Sequence, residues 1–251
     1  MTPTLAGPVV GARLHAVGSV ESTQTVLARL AAAGAPEGTV VHADHQTAGR
    51  GRRGRAWWDA PGQSVLASVL LRPPMPLAQA AGLSLVVAVA AAEALDAFGA
   101  ATRIRWPNDL VVGERKLGGI LCEAAAGPPG EPVRVLVGCG INVGQATLPP
   151  ELAAIATSLR IETGRTAAVA DVLGALLAAL DRRYRAFREA GLADALPEWR
   201  RRSATLGRRV RTPDGEALAA DVDADGALLV TDDAGRTRRL SAGEIAHVAA
   251  P

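Results

Sequence analysis

From about residue 203 onward the chain is punctuated by turn signals. Asp214-Gly215, Asp225-Gly226 and Ala234-Gly235 separate short β-prone runs, at spacings of about ten residues that favour tight hairpins over helices. The preceding part alternates strand-length and helix-length patterns. Ser22 is placed to cap a helix over Thr23–Ala33, with Gly34 as its stop. Thr39–Ala43 and Ser64–Leu71 read as strands, the latter ended by Pro73-Pro74. Gly82–Phe98 is a nearly all-apolar helix closed by Gly99. Strands are expected at Arg103–Trp106, Leu110–Val112 and Gly118–Ala124, with Gly113 in a turn. A turn-rich loop at Gly127–Pro132 leads to a strand at Val133–Gly138. Asp171–Ala190 is an amphipathic helix, capped by Asp171 and stopped by Gly191. Its Arg182, Arg183, Arg185 and Arg188 read as a solvated face. The expectation is an α+β chain: a main domain over residues 1–202 and a small β-barrel over 203–251.

With 251 residues, 49% of them hydrophobic, the chain can bury one sizeable core. Its 21% charged content and mean hydropathy of +0.17 exclude wholesale disorder. A net charge of +2 argues against a general nucleic-acid binder. Cys122 and Cys139 lack the close spacing of a redox or zinc pair and read as buried thiols, so the default location is cytoplasmic. Met1–Val10 carries no secretory signal pattern. The longest apolar stretch, near Ala81–Ala92, is too short for a membrane span.

Residue usage points to where the chemistry lies. Lys116 is the only lysine among 27 basic residues, and Asn108 and Asn142 are the only asparagines. All three fall in motif-like runs. The most informative run, His45–Trp58, contains Gly49-Arg50-Gly51-Arg52-Arg53-Gly54-Arg55. Its glycines expose backbone N–H groups and its arginines supply positive charge, so the loop should order around an anion. Trp57 and Trp58 offer stacking faces. An arginine–glycine contact to nucleic acid is the competing reading of this run alone. In Arg105-Trp106-Pro107-Asn108-Asp109, Asn108 could hydrogen-bond a ligand and Asp109 could approach Mg²⁺; an ordinary turn fits too. In Arg115-Lys116-Leu117-Gly118-Gly119-Ile120-Leu121, a compact, rotatable ammonium precedes two glycines. Gly138-Cys139-Gly140-Ile141-Asn142 again permits close backbone approach, and is not a dinucleotide fingerprint.

These four runs, in this order, resemble the catalytic domain of biotin–protein ligases. Glu21-Ser22-Thr23 resembles that family's start of the site, and the C-terminal β unit its small SH3-like domain. The resemblance implies a mixed sheet with helices on one side. It implies activation of biotin by ATP with Mg²⁺, then biotin transfer to a lysine of the carrier domain of an acyl-CoA carboxylase. Ser22, Thr23, Gln46, Gly49 and Arg50 would meet the ring end of biotin. Arg52 and Lys116, the catalytic candidates, would face its carboxylate. Gly118, Gly119, Gly138 and Gly140 would form the pocket floor. Arg52, Arg53, Arg55, Trp57, Asn108, Lys116 and Asn142 would meet ATP or the adenylate, with Asp109 the candidate for Mg²⁺. Gln24 departs from the family's asparagine, and Ala56 from a basic residue. No DNA-binding role, no membrane, and a monomer or homodimer are expected. The rivals are a lipoate or octanoyl ligase or transferase of the same fold and an RNA-binding protein.

Overall fold

A computed structural model describes residues 8–127, 132–240 and 246–247. Most of the Gly127–Pro132 loop and the first seven residues of the N-terminus lie outside the described residues. The main sheet has seven strands: β1 (Arg13–Val20), β2 (Thr39–Gln46), β3 (Ser64–Leu71), β4 (Arg103–Arg105), β5 (Asp109–Val112), β6 (Arg115–Ala125) and β7 (Arg134–Asn142). Their order is β1-β2-β3-β7-β6-β5-β4. Only β1 and β2 pair in parallel, joined through helix α1 (Thr23–Ala32). The other pairings are antiparallel.

Strand β3 is buried at all eight positions because both of its faces are covered. Val65, Ala67, Val69 and Leu71 join the large core, which includes α2 (Leu83–Asp96) and α5 (Val169–Ala190). Leu70 packs with Leu27 and Ala31 of α1, and Ser68 meets Thr23. Since side chains alternate along a strand, α1 lies on the face opposite α2 and α5. The expectation of helices on one side is therefore corrected.

Helix α2 is apolar almost all round because it is buried between the sheet and α5. Gln79–Asp96 is longer than the apolar run read from sequence, and has the length and composition of a membrane span. It is nevertheless largely covered by the rest of the fold: 78% of that stretch is buried. The arginines of α5 are not simply solvated. Arg183 pairs with Glu93 of α2 and with Asp194, Arg185 with Asp181, and Arg188 with Glu37; Arg182 alone is exposed. Neither expected cap forms. Ser22 caps α1 in position but makes no side-chain bond, and α5 begins before Asp171, which sits in its first turn. Gly191, at φ 63°, does end α5.

The short helices α3 (Pro150–Ala153) and α4 (Leu159–Thr163) follow β7, and α6 (Leu196–Arg202) leads to the second sheet. That sheet comprises β8 (Arg209–Thr212), β9 (Gly215–Val222), β10 (Leu228–Thr231), β11 (Thr237–Leu240) and β12 (Ala246–His247). It is antiparallel in the order β11-β10-β9-β8-β12. Among the described residues no β11–β12 ladder closes it into a barrel. The two sheets are tied at Trp106. Its main-chain N–H donates to Thr205 Oγ1 at 2.9 Å and its indole N–H to the Gly226 carbonyl at 3.1 Å.

Candidate active site

The α1 side of the main sheet is stripped of side chains at its centre. In the β6–β7 ladder Gly119 pairs with Gly140, and Leu121 with Gly138. The intervening Ile120, Cys139 and Ile141 point into the large core. Three side chains lie over the bare floor. A Cβ on Gly140 would stand 2.7 Å from the Trp57 ring, one on Gly138 3.2 Å from Gln24 Cδ, and one on Gly119 3.1 Å from Lys116 Nζ. The resulting cavity of about 260 Å³ runs along the strands. From Gly138 to Asn142 the floor extends roughly 13 Å, at the rise of an extended chain. Gly118 serves a different purpose: a Cβ there would stand 2.8 Å from the Gly140 carbonyl oxygen, inside the sheet.

One end of the cavity is polar and uncharged. The Thr23 N–H and hydroxyl both donate to Gln46 Oε1, at 2.8 and 3.1 Å, and the hydroxyl also meets Ser68 Oγ at 2.8 Å. Those contacts turn the Gln46 amide so that Nε2 remains a donor. Ser22, Thr23 and Gln24 are buried at the start of α1.

The other end is charged. Lys116 Nζ donates to Asp109 Oδ1 at 2.6 Å and lies 5.8 Å from the Trp57 ring centroid. Its main chain is fixed on both sides: Lys116 N–H donates to the Ile155 carbonyl at 2.9 Å, and Thr157 N–H to the Lys116 carbonyl at 2.8 Å. Arg52 Nη1 donates to Asn108 Oδ1 at 3.1 Å, and Asn108 Nδ2 to the Ile120 carbonyl. The Trp106–Pro107 peptide before Asn108 is cis. Burial lowers the Arg52 pKa, as do the nearby Arg53 and Arg55, while Asp109 opposes the shift. A guanidinium so placed is still charged at neutral pH, and an arriving anion would relieve it. Asn142 Nδ2 donates to the Thr157 carbonyl at 2.9 Å, leaving its Oδ1, like Trp57 Nε1, buried without a partner among the described residues.

The arginine–glycine run forms a closed loop over this end. Gly51 N–H donates to the Arg55 carbonyl at 2.7 Å, Trp57 N–H to the Gly49 carbonyl at 2.9 Å, and Arg50 bridges to Ala56. Arg53 turns the chain at φ 58°, a conformation uncommon outside glycine.

Comparison with known proteins agrees with this geometry. Residues 17–142 match the biotin/lipoate A/B protein ligase family, and residues 205–248 the biotin protein ligase C-terminal domain. A biotin–[acetyl-CoA-carboxylase] ligase of Mycobacterium tuberculosis is 37% identical over 94% of this chain and 89% of its own. The bifunctional ligase/repressor BirA of Bacillus spizizenii is also 37% identical, over 93% of this chain and 74% of its own. The chain belongs to the biotin/lipoate protein ligase family. Among solved structures, biotin protein ligase from Aquifex aeolicus in complex with biotin and ATP superposes with a TM-score of 0.80 at 28% identity. That match covers 94% of this chain and 98% of the other.

In this family member the cavity gathers Ser22, Thr23, Gln46, Arg50, Arg52, Arg55, Trp57, Asn108, Asp109, Lys116, Gly119, Gly138, Gly140 and Asn142. Three other sequence-derived candidates do not line it. Gly49 is packed beneath Trp57, Gly118 is buried in the sheet, and Arg53 is exposed on the loop. Sequence reasoning missed the apolar wall formed by Leu148, Leu152 and Ile155. Their spacing at 148, 152 and 155, about one apolar residue per helical turn on either side of the Pro149-Pro150 pair, is the available signal. Asp109 is the one acidic residue lining the cavity, and no cluster of three metal-ligating side chains occurs among the described residues. That donor set fits Mg²⁺ carried in on a triphosphate, a cation commonly held by one or two carboxylates plus phosphates.

Proposed function

We propose that this chain joins biotin to ATP as biotinyl-5'-AMP, releasing pyrophosphate, and then passes biotin to one lysine of a carboxylase carrier domain. The observation that carries this reading is the two-ended trough. Neutral hydrogen-bonding groups at one end suit a ureido ring. Lys116 and Arg52 sit toward the other, where a carboxylate tail and an α-phosphate would meet.

A carboxylate and a phosphate repel, so the reaction is limited by charge as the biotin oxygen attacks phosphorus. Lys116 carries three N–H donors, of which Asp109 takes one, so it can bridge the two anions as bonding shifts. Arg52 offsets the charge that builds on the phosphate. Mg²⁺ bound with ATP would supply further neutralisation, and Asp109 would hold it. The arginine loop then covers the mixed anhydride and keeps water away until the carrier amine attacks. We further propose a cytoplasmic enzyme working as a monomer or homodimer. Intact-mass analysis of a biotin carboxyl carrier domain, incubated with the chain, biotin and MgATP, tests the reading. One biotin should be added per carrier domain. Lipoyl or octanoyl transfer in preference to biotin would instead favour the other branch of the family.

A further inference from the structure

Asp59 is a buried carboxylate that the reaction does not use. It is 7% exposed, and His45 meets it with ring Nδ1 at 2.8 Å from Oδ2. A carboxylate oxygen accepts, so the ring donates its Nδ1 proton. Neither residue lines the cavity, so neither touches the reacting atoms. What they flank is the arginine loop: His45 is the last residue but one of β2, and Asp59 follows Trp57 by two positions.

The two limbs of that loop are held differently. The outgoing limb is tied by its main chain, Thr47 N–H donating to the Val20 carbonyl at 2.8 Å and Ala48 N–H to the Glu21 carbonyl at 2.9 Å. The returning limb, residues 58–61, has among the described residues one hydrogen bond to the strands beside it, the one from His45. Main-chain pairing resumes only at Gly62, whose N–H donates to the Asp44 carbonyl at 2.8 Å. Trp57, just before this limb, lies over Gly140, and Arg52 and Arg55 of the same loop line the cavity. One side-chain contact therefore fixes the limb that ends the cavity's cover. Breaking it in place would strand a buried charge, so the limb either stays pinned or leaves as a whole.

We propose that His45 is a positioning residue: through Asp59 it pins the returning limb of the arginine loop to the end of β2, so that the loop closes as one flap over the adenylate. The assignment rests on the proposed biotin activation and names what keeps the cover in place. Without the pin, the closed loop is one arrangement among several. The ligands must then supply the ordering. That shows as weaker apparent binding rather than slower chemistry, because the closed state is the same once formed.

The test compares the native chain with His45→Ala and His45→Asn in two assays. One is biotin-dependent pyrophosphate exchange. The other is retention, with biotinyl-5'-AMP made in the absence of carrier and then separated from the chain by rapid gel filtration. His45→Ala should raise the KM for both biotin and ATP roughly tenfold, the order expected for one lost hydrogen bond to a charged group. Its kcat should stay within about threefold of native. It should also release the adenylate faster by a similar factor. His45→Asn, whose Nδ2 can stand where the ring Nδ1 stands, should restore both. Simple loss of folded chain would lower kcat and leave KM where it was. Should His45→Ala fail to fold, the double variant His45→Ala/Asp59→Ala, which strands no charge, carries the same expectation. Unchanged KM and retention in either variant, once folded, overturns the assignment. So does a folded His45→Asn that releases the adenylate as fast as His45→Ala. Absence of exchange with biotin in the native chain would instead sink the functional reading itself.

Discussion

At the scale of single residues, the charged end of the trough depends on two cations that are not interchangeable. Lys116 is held by Asp109 and by main-chain bonds to the Ile155–Thr157 segment, so its ammonium is placed before any ligand arrives. Lys116→Ala should reduce biotin-dependent pyrophosphate exchange by roughly 10²–10³-fold, the range for removing one preorganised electrostatic group. Lys116→Arg should not rescue it, because a planar fork cannot occupy the same point. Arg52 joins the loop to Asn108. Arg52→Ala should let biotinyl-5'-AMP escape, read as intermediate accumulating in solution when no carrier is present. Both residues can be singled out from sequence only through the order of the four runs and the resemblance it carries; alone, the arginine–glycine loop reads as a nucleic-acid contact too. Gln24 cannot: that its amide lies over the Gly138 floor is visible only in the fold.

At the scale of elements, β6 and β7 build the floor and α6 fastens the frame. Gly140→Ala would put a methyl 2.7 Å from the Trp57 ring. It should therefore raise the KM for biotin and ATP while costing about 1–3 kcal/mol of stability, an overpacking penalty readable in denaturant titration. In α6, Glu198 receives hydrogen bonds from Arg201 and Arg202, and Arg202 also grips Asp96 of α2. The Arg201 bond first, and then Arg202, holds the Glu198 carboxyl down at about 2, below its ordinary 4.5. A carboxylate with a lowered folded-state pKa stabilises fully above its unfolded value and loses that contribution as pH falls through the folded one. Glu198→Gln should therefore flatten the fall in Tm between pH 4.5 and 2. Element positions were largely legible: Ser64–Leu71 is read from sequence with the bounds it has in the fold. Periodicity does not encode which face of a sheet a helix covers; the expectation of helices on one side rested on the resemblance, and α1 departs from it. Strand β1, exposed along most of its length, lacks the alternation that marks a half-buried strand. Arginines 183, 185 and 188 looked solvated because their acidic partners are mostly far away in sequence.

At the scale of the whole molecule, the second sheet is tied to the charged end of the site at Trp106 and through Arg208 on Glu114. Trp106 is 3% exposed and ties the segment bearing Asn108 and Asp109 to Thr205 and Gly226. Trp106→Phe removes the indole N–H and leaves the Gly226 carbonyl without that donor. The expected cost is about 1–3 kcal/mol, with the KM for ATP rising more than that for biotin; steady-state kinetics against each substrate checks it. The change of texture near residue 203 announced a β unit, but a hydrogen bond between residues 120 positions apart leaves no mark in a local pattern.

The glycine floor has a consequence for how such an enzyme can diversify. At Gly119, Gly138 and Gly140 the floor is bare peptide, so a side chain added at any of them would fill room in the cavity before it could add a contact. Any shift of preference toward a different acid must come from the roof: the first turn of α1, the arginine loop and the apolar wall behind β7. Those three parts can vary while the strands beneath them stay as they are.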